Sequence, residues 1–359
     1  MALIAAVLIA AIVAGLAVAL TSRDRYAILA VTRLRDVARV DALVQGLEVQ
    51  AARLLAGDAE AGSHDSDDEA WRATTYTATA GGFVANARLE DAQRRFNLNS
   101  LVPAPATGDP GAPTGAEAAT PAVAESPAAR RAMADFARAL GVTPTAARQA
   151  AGGAGSGDET GLRDEQLAAA RFALLLQALG LPPTILAAVL DWVDEDGETR
   201  FPDGAEDDYY SRLAPAYRTA NGRFADVSEL LLVRGVTDEV YAKLAPFVTV
   251  LDVATPVNVN TASPEVLMSL GPGIDRATAE QLVDARRAQP FTSLEALLRH
   301  PVLAGRGLLA AGLSTGSRYF ELTTRVAHDD LPYFRRSLLF RMEPSRILTL
   351  RRAQPYTDG

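Results

Sequence analysis

"MALIAAVLIAAIVAGLAVALTSRDRYAILAVTRLRD" (residues 1–36) decides how the rest of the chain is read. No charge appears before Arg23. About twenty apolar residues, at ~1.5 Å each, span roughly 30 Å, the thickness of a bilayer's hydrocarbon core. "AVA" at 17–19 resembles a signal-peptidase site. A cleaved signal, however, has a basic leader and a shorter apolar run. Residues 1–22 therefore read as an anchor. The apolar pattern continues past it. Ile28, Leu29, Val31, Leu34, Val37, Val40, Leu43, Val44, Leu47, Leu54 and Leu55 recur at helical spacing, with Arg, Asp and Gln on much of the opposite face. "GDAEAGSHDSDDE" (57–69) stops the pattern. The expectation is one helix over 1–56, roughly 80 Å long, half in lipid and half outside.

The chain has 359 residues, enough for two or three domains with a sizeable core. Its net charge of -9 argues against broad nucleic-acid binding, which needs a basic face. It has no cysteine, so disulfides and thiolate metal sites are excluded. The three histidines (His64, His300, His328) are not clustered, which disfavours a histidine-rich zinc or iron site. No dinucleotide-binding, P-loop, nucleophile-elbow or HExxH motif is present. The chain reads as a protein without a reaction of its own.

After the helix, "WRATTYTATAGGFVANARLEDAQRRFNLNSL" (71–101) alternates apolar and polar residues about Gly81-Gly82 and reads as a β-hairpin. A Pro-, Ala- and Gly-rich stretch (103–130) reads as a disordered linker, and "GGAGSGDETG" (152–161) as part of a second flexible stretch over 141–161. The region 131–312 is mostly helical, with Pro182-Pro183 ending one amphipathic helix and starting the next. "SRYFELTTRVAHD" and "YFRRSLLFRMEPSRILTLRRA" return to strand periodicity over 313–359. Strands on both sides of a helical block imply an α+β chain. One discontinuous domain, the long helix on an antiparallel sheet begun by 57–102 and completed by 313–359, would carry the block as an insertion.

In its N-terminal helix, its interrupted sheet and the order of "FNLNSL", "GAEDDYY", "SELLLVRGV", "YAKLAPFVTV" and "NVNTASPEVL", the chain resembles the K-type minor pseudopilins of type II secretion systems, which have a type IV pilin-like fold. The resemblance implies a single-pass inner-membrane protein with its C-terminal body in the periplasm. Met1 would be the residue exposed and N-methylated once a short basic leader is removed. That would also resolve a conflict: Arg23, Arg25, Arg33, Arg35 and Arg39 follow the span, and the positive-inside rule alone would put the body in the cytoplasm. Most pseudopilins carry Glu at the fifth position; this chain has Ala5. In the family that Glu pairs with a neighbour's terminal amine, so its lack fits a subunit at the tip with nothing above it. The implied partners are the I-type and J-type minor pseudopilins, reached through the N-terminal helices and globular domains, and then a secreted substrate or the outer-membrane channel.

"DWVDEDGETRFPDGAEDDYY" (191–210) crowds carboxylates among aromatics. Asp194, Asp196 and Glu198 alternate like an EF-hand's first half, but Gly197 comes too early and the distal Glu is missing. Another oxygen cage remains open. Asp194 and Asp196 would close the preceding helix, and Glu206 with Asp207 or Asp208 would return after the Pro202–Gly204 turn. Ca²⁺ tolerates such irregular sets. The competing reading is a solvated loop using its Asp residues as caps. The resemblance implies a structural calcium ion, held by Asp194, Asp196, Glu206 and Asp207.

"VNVNTASPEVLMSLGPGIDRATAEQLVDARRAQPFTSLEALL" resembles a helix-hairpin-helix unit, and "FADVSELLLVRGVTDEVYAKLAPFV" a degenerate second copy. The rival reading is therefore a membrane-anchored DNA receptor of the competence type. DNA-binding hairpins need Gly-hydrophobic-Gly so that amides can reach a phosphate. Here the sequences are Gly273-Ile274-Asp275 and Gly235-Val236-Thr237. The second glycine is lost in both, and Asp275 puts a negative charge at the phosphate position. Both units read as packing modules without nucleic acid. Asn258 and Asn260 read as braces of the turn before the helix at Pro264.

Overall fold

A computed structural model describes residues 2–102, 127–142, 162–306, 308–328 and 331–354. Met1 and most of the two expected linkers lie outside the described residues. The last four residues of the expected 103–130 linker are instead the first turn of a helix, Pro127–Ala139. Proline at that first position loses no hydrogen bond.

The N-terminal helix runs from Ala2 to Ala61, about 90 Å of continuous helix. It passes the expected end at 56 because "DAEA" supplies good helix formers after Gly57. Its apolar stripe is used unevenly. Val40, Leu43, Val44, Leu47, Ala51 and Leu55 are buried, at helical spacing, against the sheet. Ile28, Leu29, Leu34 and Val37 belong to the same stripe but are exposed. The reason is where the sheet stops: the turn at Gly81–Gly82 lies beside Arg39, and among the described residues nothing buries the apolar stripe before it. Both turn glycines have positive φ (56° and 86°), a conformation that a Cβ would strain.

The sheet has five antiparallel strands in the order β1-β2-β7-β8-β9. These are β1 (Tyr76–Ala80), β2 (Phe83–Asp91), β7 (Tyr319–His328), β8 (Leu331–Glu343) and β9 (Arg346–Ala353). β2 and β7 pair from Val84↔Ala327 to Asp91↔Phe320 although more than 220 residues separate them in sequence. The helical block is thus inserted between neighbouring strands of one sheet, as the flanking periodicity predicts. Strand alternation makes two faces. Phe83, Ala85, Ala87 and Leu89 face the long helix, together with Phe320, Leu322 and Val326. A charged residue of the helix is buried in this interface. Glu48 receives Arg352 Nη2 at 2.6 Å, Arg352 Nε at 2.8 Å and Ser337 Oγ at 2.7 Å. Burial raises its carboxyl pKa, but these bonds and the Arg352 charge outweigh burial and hold it below the ordinary value.

Buried asparagines tie the block to the sheet. Short parallel pairs, β3 (Phe96–Asn97) with β4 (Val248–Thr249) and β5 (Val257–Asn258) with β6 (Leu313–Ser314), start the contact. Asn99 Nδ2 donates to the carbonyls of Phe224 and Leu251, and its Oδ1 accepts from Phe224 N. Asn258 Nδ2 reaches Asp91 Oδ2, Asp65 O and Ser317 Oγ; Asn260 spans from Phe291 to Thr315. These two residues do more than brace a turn: they join the block to both halves of the sheet domain.

Candidate metal centre

The helix Ile185–Val193 buries Ile185, Leu186, Ala188, Val189, Trp192 and Val193 in the core of the block. It stops at Asp194, whose backbone is extended (φ -80°, ψ 164°). Asp191 sits in the last turn of this apolar helix and is fully buried. Two acids therefore stand at the helix's C-terminal end, where the macrodipole disfavours negative charge. Such an arrangement needs a compensating cation.

The loop supplies one from its own chain. Arg200 Nη2 lies 2.5 Å from Asp194 Oδ2 and Arg200 Nε 3.3 Å from Asp191 Oδ1, while Arg200 N donates to Asp191 Oδ2 at 3.1 Å. The chain then turns tightly, with Gly204 N bonded to Arg200 O at 2.7 Å. A Cβ on Gly204 would collide with Asp191 Oδ2 and stand 2.6 Å from Arg200 O, so only glycine fits. The return segment places buried Glu206 at the N-terminus of the short helix Asp207–Tyr210. Tyr210 stacks on Tyr217 at 5.2 Å and meets Trp192 edge-on at 5.3 Å, closing the wall behind the acids. Arg234 lies over Tyr209 and donates to Gly204 O, pinning the loop from the far side.

Carboxylate oxygens of Asp194, Asp196 and Glu206 come within 4.8 Å of one another. Burial pushes Glu206 up to about 7, with repulsion from Asp191, Asp194 and Asp196 in the same direction. Burial also lifts Asp191 to about 6, against the hydrogen bond and charge of Arg200. Glu206 Oε2 accepts from Thr219 Oγ1 at 3.3 Å, whereas the buried Glu206 Oε1 has no hydrogen-bond partner among the described residues. Four clustered acids against one guanidinium, with an orphaned buried oxygen among them, fit a hard divalent cation. Asp194, Asp196 and Glu206 are thus brought together. Asp207 is not in this group: its half-exposed carboxylate accepts from Thr219 N and Oγ1, both at 3.0 Å, and lies 3.8 Å from Arg218. Sequence reasoning missed Asp191, although an acid amid "ILAAVL" and "WV" is a signal of a buried carboxylate.

A second group, Asp58, Asp65 and Glu69, also brings oxygens within 4.8 Å. It differs in that none of its carboxylate oxygens is buried without a hydrogen-bond partner among the described residues. Arg341 Nη1 binds Asp65 at 2.9 Å and Arg341 Nη2 lies 3.4 Å from Asp58. Ser317 N donates to Asp65 Oδ2, and Ser66 N and Trp71 Nε1 donate to Glu69 Oε2. This is an arginine-centred clamp between the helix end and β8.

Residues 154–253 and 257–316 match the family described as type II secretion system (T2SS), protein K. The chain is similar to the type II secretion system protein K of Pseudomonas aeruginosa, 38% identical over 164 residues, 45% of this chain and 49% of that protein. The Klebsiella pneumoniae protein K is 37% identical over 179 residues, 47% and 55% of the two chains. The alignments span about half the length of these curated relatives. A chain in the crystal structure of the GspK-GspI-GspJ complex from enterotoxigenic Escherichia coli shares the fold, with a TM-score of 0.65, 20% identity, and coverage of 90% of this chain and 100% of that one.

Proposed function

We propose that this chain, whose residues 154–253 and 257–316 match the type II secretion system protein K family, is a minor pseudopilin that starts and caps the pseudopilus. The observation that carries the reading is the insertion itself: a protein K block built between neighbouring strands of a sheet that rides on one 60-residue helix. Residues 1–22 anchor the chain in the inner membrane, with the body in the periplasm. The exposed stripe from Ile28 to Val37 supplies the helix face on which I-type and J-type minor pseudopilins pack. A single-chain fold leaves that stripe in water, and burying it against neighbouring helices repays its exposure. Ala5 lies exposed on the helix and offers no carboxylate to a subunit above it. The bulk of the block does the capping, and the chain carries no reaction of its own.

Calcium at Asp194, Asp196 and Glu206 is a structural part of this reading. The ion would hold the end of the Trp192 helix against the Tyr209–Tyr210 segment and so stiffen the block. Asp191 and Arg200 would set the charge beneath it.

The DNA-receptor alternative has no support in the hairpins. Asp275 caps its own helix through Thr278 N at 2.8 Å, and the adjacent Arg276 is paired with Glu265 at 3.1 Å. Gly273 is needed because a Cβ would meet Arg306 O at 2.7 Å. The two units serve as packing modules. Mass spectrometry of the N-terminal peptide from native membranes tests the reading: an N-methylated Met1 is expected, and an unmodified or formylated Met1 would overturn pseudopilin processing.

A further inference from the structure

The sheet's second face is divided. At one end Tyr319, Leu338 and Phe340 are buried with Ala92 and Leu251, so the helical block covers them. At the other end the face is open. The register sets Arg88 opposite Thr323, which is opposite Arg336, and Asn86 opposite Arg325, which is opposite Phe334. Arg88, Arg325 and Arg336 are exposed on three adjacent strands. Val84 is 45% exposed beside them and Phe334 is half-buried.

The acids bordering this area are already engaged. Glu90 faces Arg95 at 3.2 Å and Arg72 at 3.3 Å; Glu321 faces Arg336 at 3.5 Å and Arg95 at 3.7 Å. Among the described residues Arg88 and Arg325 have no carboxylate partner. A chain of net charge -9 thus keeps one basic, partly apolar face open.

We propose that the open half of the outer sheet face, centred on Arg88, Arg325 and Arg336, docks an acidic surface of a partner protein. Guanidinium groups on neighbouring strands suit carboxylates, which they bind in bidentate fashion, and the flanking Val84 and Phe334 supply apolar contact. On the pseudopilin reading, the anchoring membrane is the wrong occupant. The sheet's end nearest the span is the Gly81–Gly82 turn beside Arg39. Arg39 follows Ser22 by about 25 Å of helix, whereas surface charge is screened within ~8 Å at physiological salt.

The test uses the full chain in zwitterionic nanodiscs and fluorescent poly-L-glutamate as the acidic probe, read by anisotropy. An acidic chain binds such a probe only through a local basic face. The parent is expected to bind, more weakly as salt rises. Arg88→Gln with Arg325→Gln is expected to weaken binding about tenfold, and Arg88→Lys with Arg325→Lys to restore most of it. A control with the same charge change, Arg287→Gln with Arg299→Gln, removes exposed arginines of the helical block and is expected to change binding less than about twofold. The proposal is overturned if the parent does not bind, or if both glutamine pairs weaken binding equally. It is also overturned if the first pair abolishes binding to phosphatidylglycerol vesicles and leaves poly-L-glutamate binding intact. None of these results alters the N-terminal mass, so the pseudopilin reading stands or falls separately.

Discussion

On the proposed cation site, replacing Glu206 by glutamine should have opposite effects on the protein without calcium and with it. At pH 8 without calcium, Glu206 is ionised, buried and repelled by Asp191, Asp194 and Asp196. Its folded pKa of about 7 lies above the ordinary glutamate value of 4.5, so the native state holds this proton more tightly than the unfolded chain does. The stability that the proton contributes is present at acid pH and is lost as pH rises through about 7. A glutamine amide in its place would carry no charge, so the calcium-free variant should melt above the calcium-free parent at pH 8. Calcium at about a hundredfold its Kd adds ~2.7 kcal/mol to the parent. For a unit of about 150–250 residues each kcal/mol raises Tm by about 2–4 °C, so the parent should gain about 5–11 °C. The variant loses a charged ligand and should gain less than about a third of that. Circular dichroism melts of the full chain in detergent, with and without calcium, read both effects. A parent insensitive to calcium, or a Glu206→Gln variant that keeps the whole increment, would refute the cation site.

Four further outcomes follow from the same contacts. Asp207→Ala should leave the calcium increment intact, because Thr219 holds that carboxylate outside the cluster; paired melts check this. Gly204→Ala should abolish calcium dependence, since the added Cβ meets Asp191 Oδ2 and Arg200 O, and should cost about 3 kcal/mol in urea unfolding. Asn99→Ala should cost about 3 kcal/mol, leaving buried groups of Phe224 and Leu251 unpaired, and limited proteolysis should then cut between sheet and block. Glu48→Ala should cost about 2 kcal/mol and loosen β9, which hydrogen exchange at Thr349–Arg352 would report.

Periodicity made the frame legible. A 3.6-residue repeat that outlasts the apolar span, then period-two segments at 71–90 and 317–352, already imply a long helix on a sheet broken by an insertion. What periodicity could not show is which part of a stripe finds a partner. Leu34 and Leu43 look alike in sequence, and only the end of the sheet at Gly81–Gly82 distinguishes them. The acidic loop was half legible. Alternating Asp194 and Asp196 and the returning Glu206 could be read along the chain. The exclusion of Asp207 depends on Thr219, twelve residues on, and the role of Asp191 depends on Arg200 folding back beneath it. The clamp of Asp58, Asp65 and Arg341 joins residues more than 270 apart, and "GSHDSDDE" alone reads as a helix stop. Asn258 and Asn260 of "NVNTAS" signalled a turn; their partners across the insertion, and those of Asn99, are set by tertiary packing.

The proposal that this chain seats on I-type and J-type minor pseudopilins through the exposed stripe of its long helix is tested most directly by purification from detergent-solubilised membranes that hold all three full-length proteins. The expected result is a stable complex containing this chain with the I-type and J-type subunits, lost when Leu34 and Val37 are both changed to Asp. A chain that elutes alone from membranes containing both partners, or a complex indifferent to those two substitutions, would contradict it.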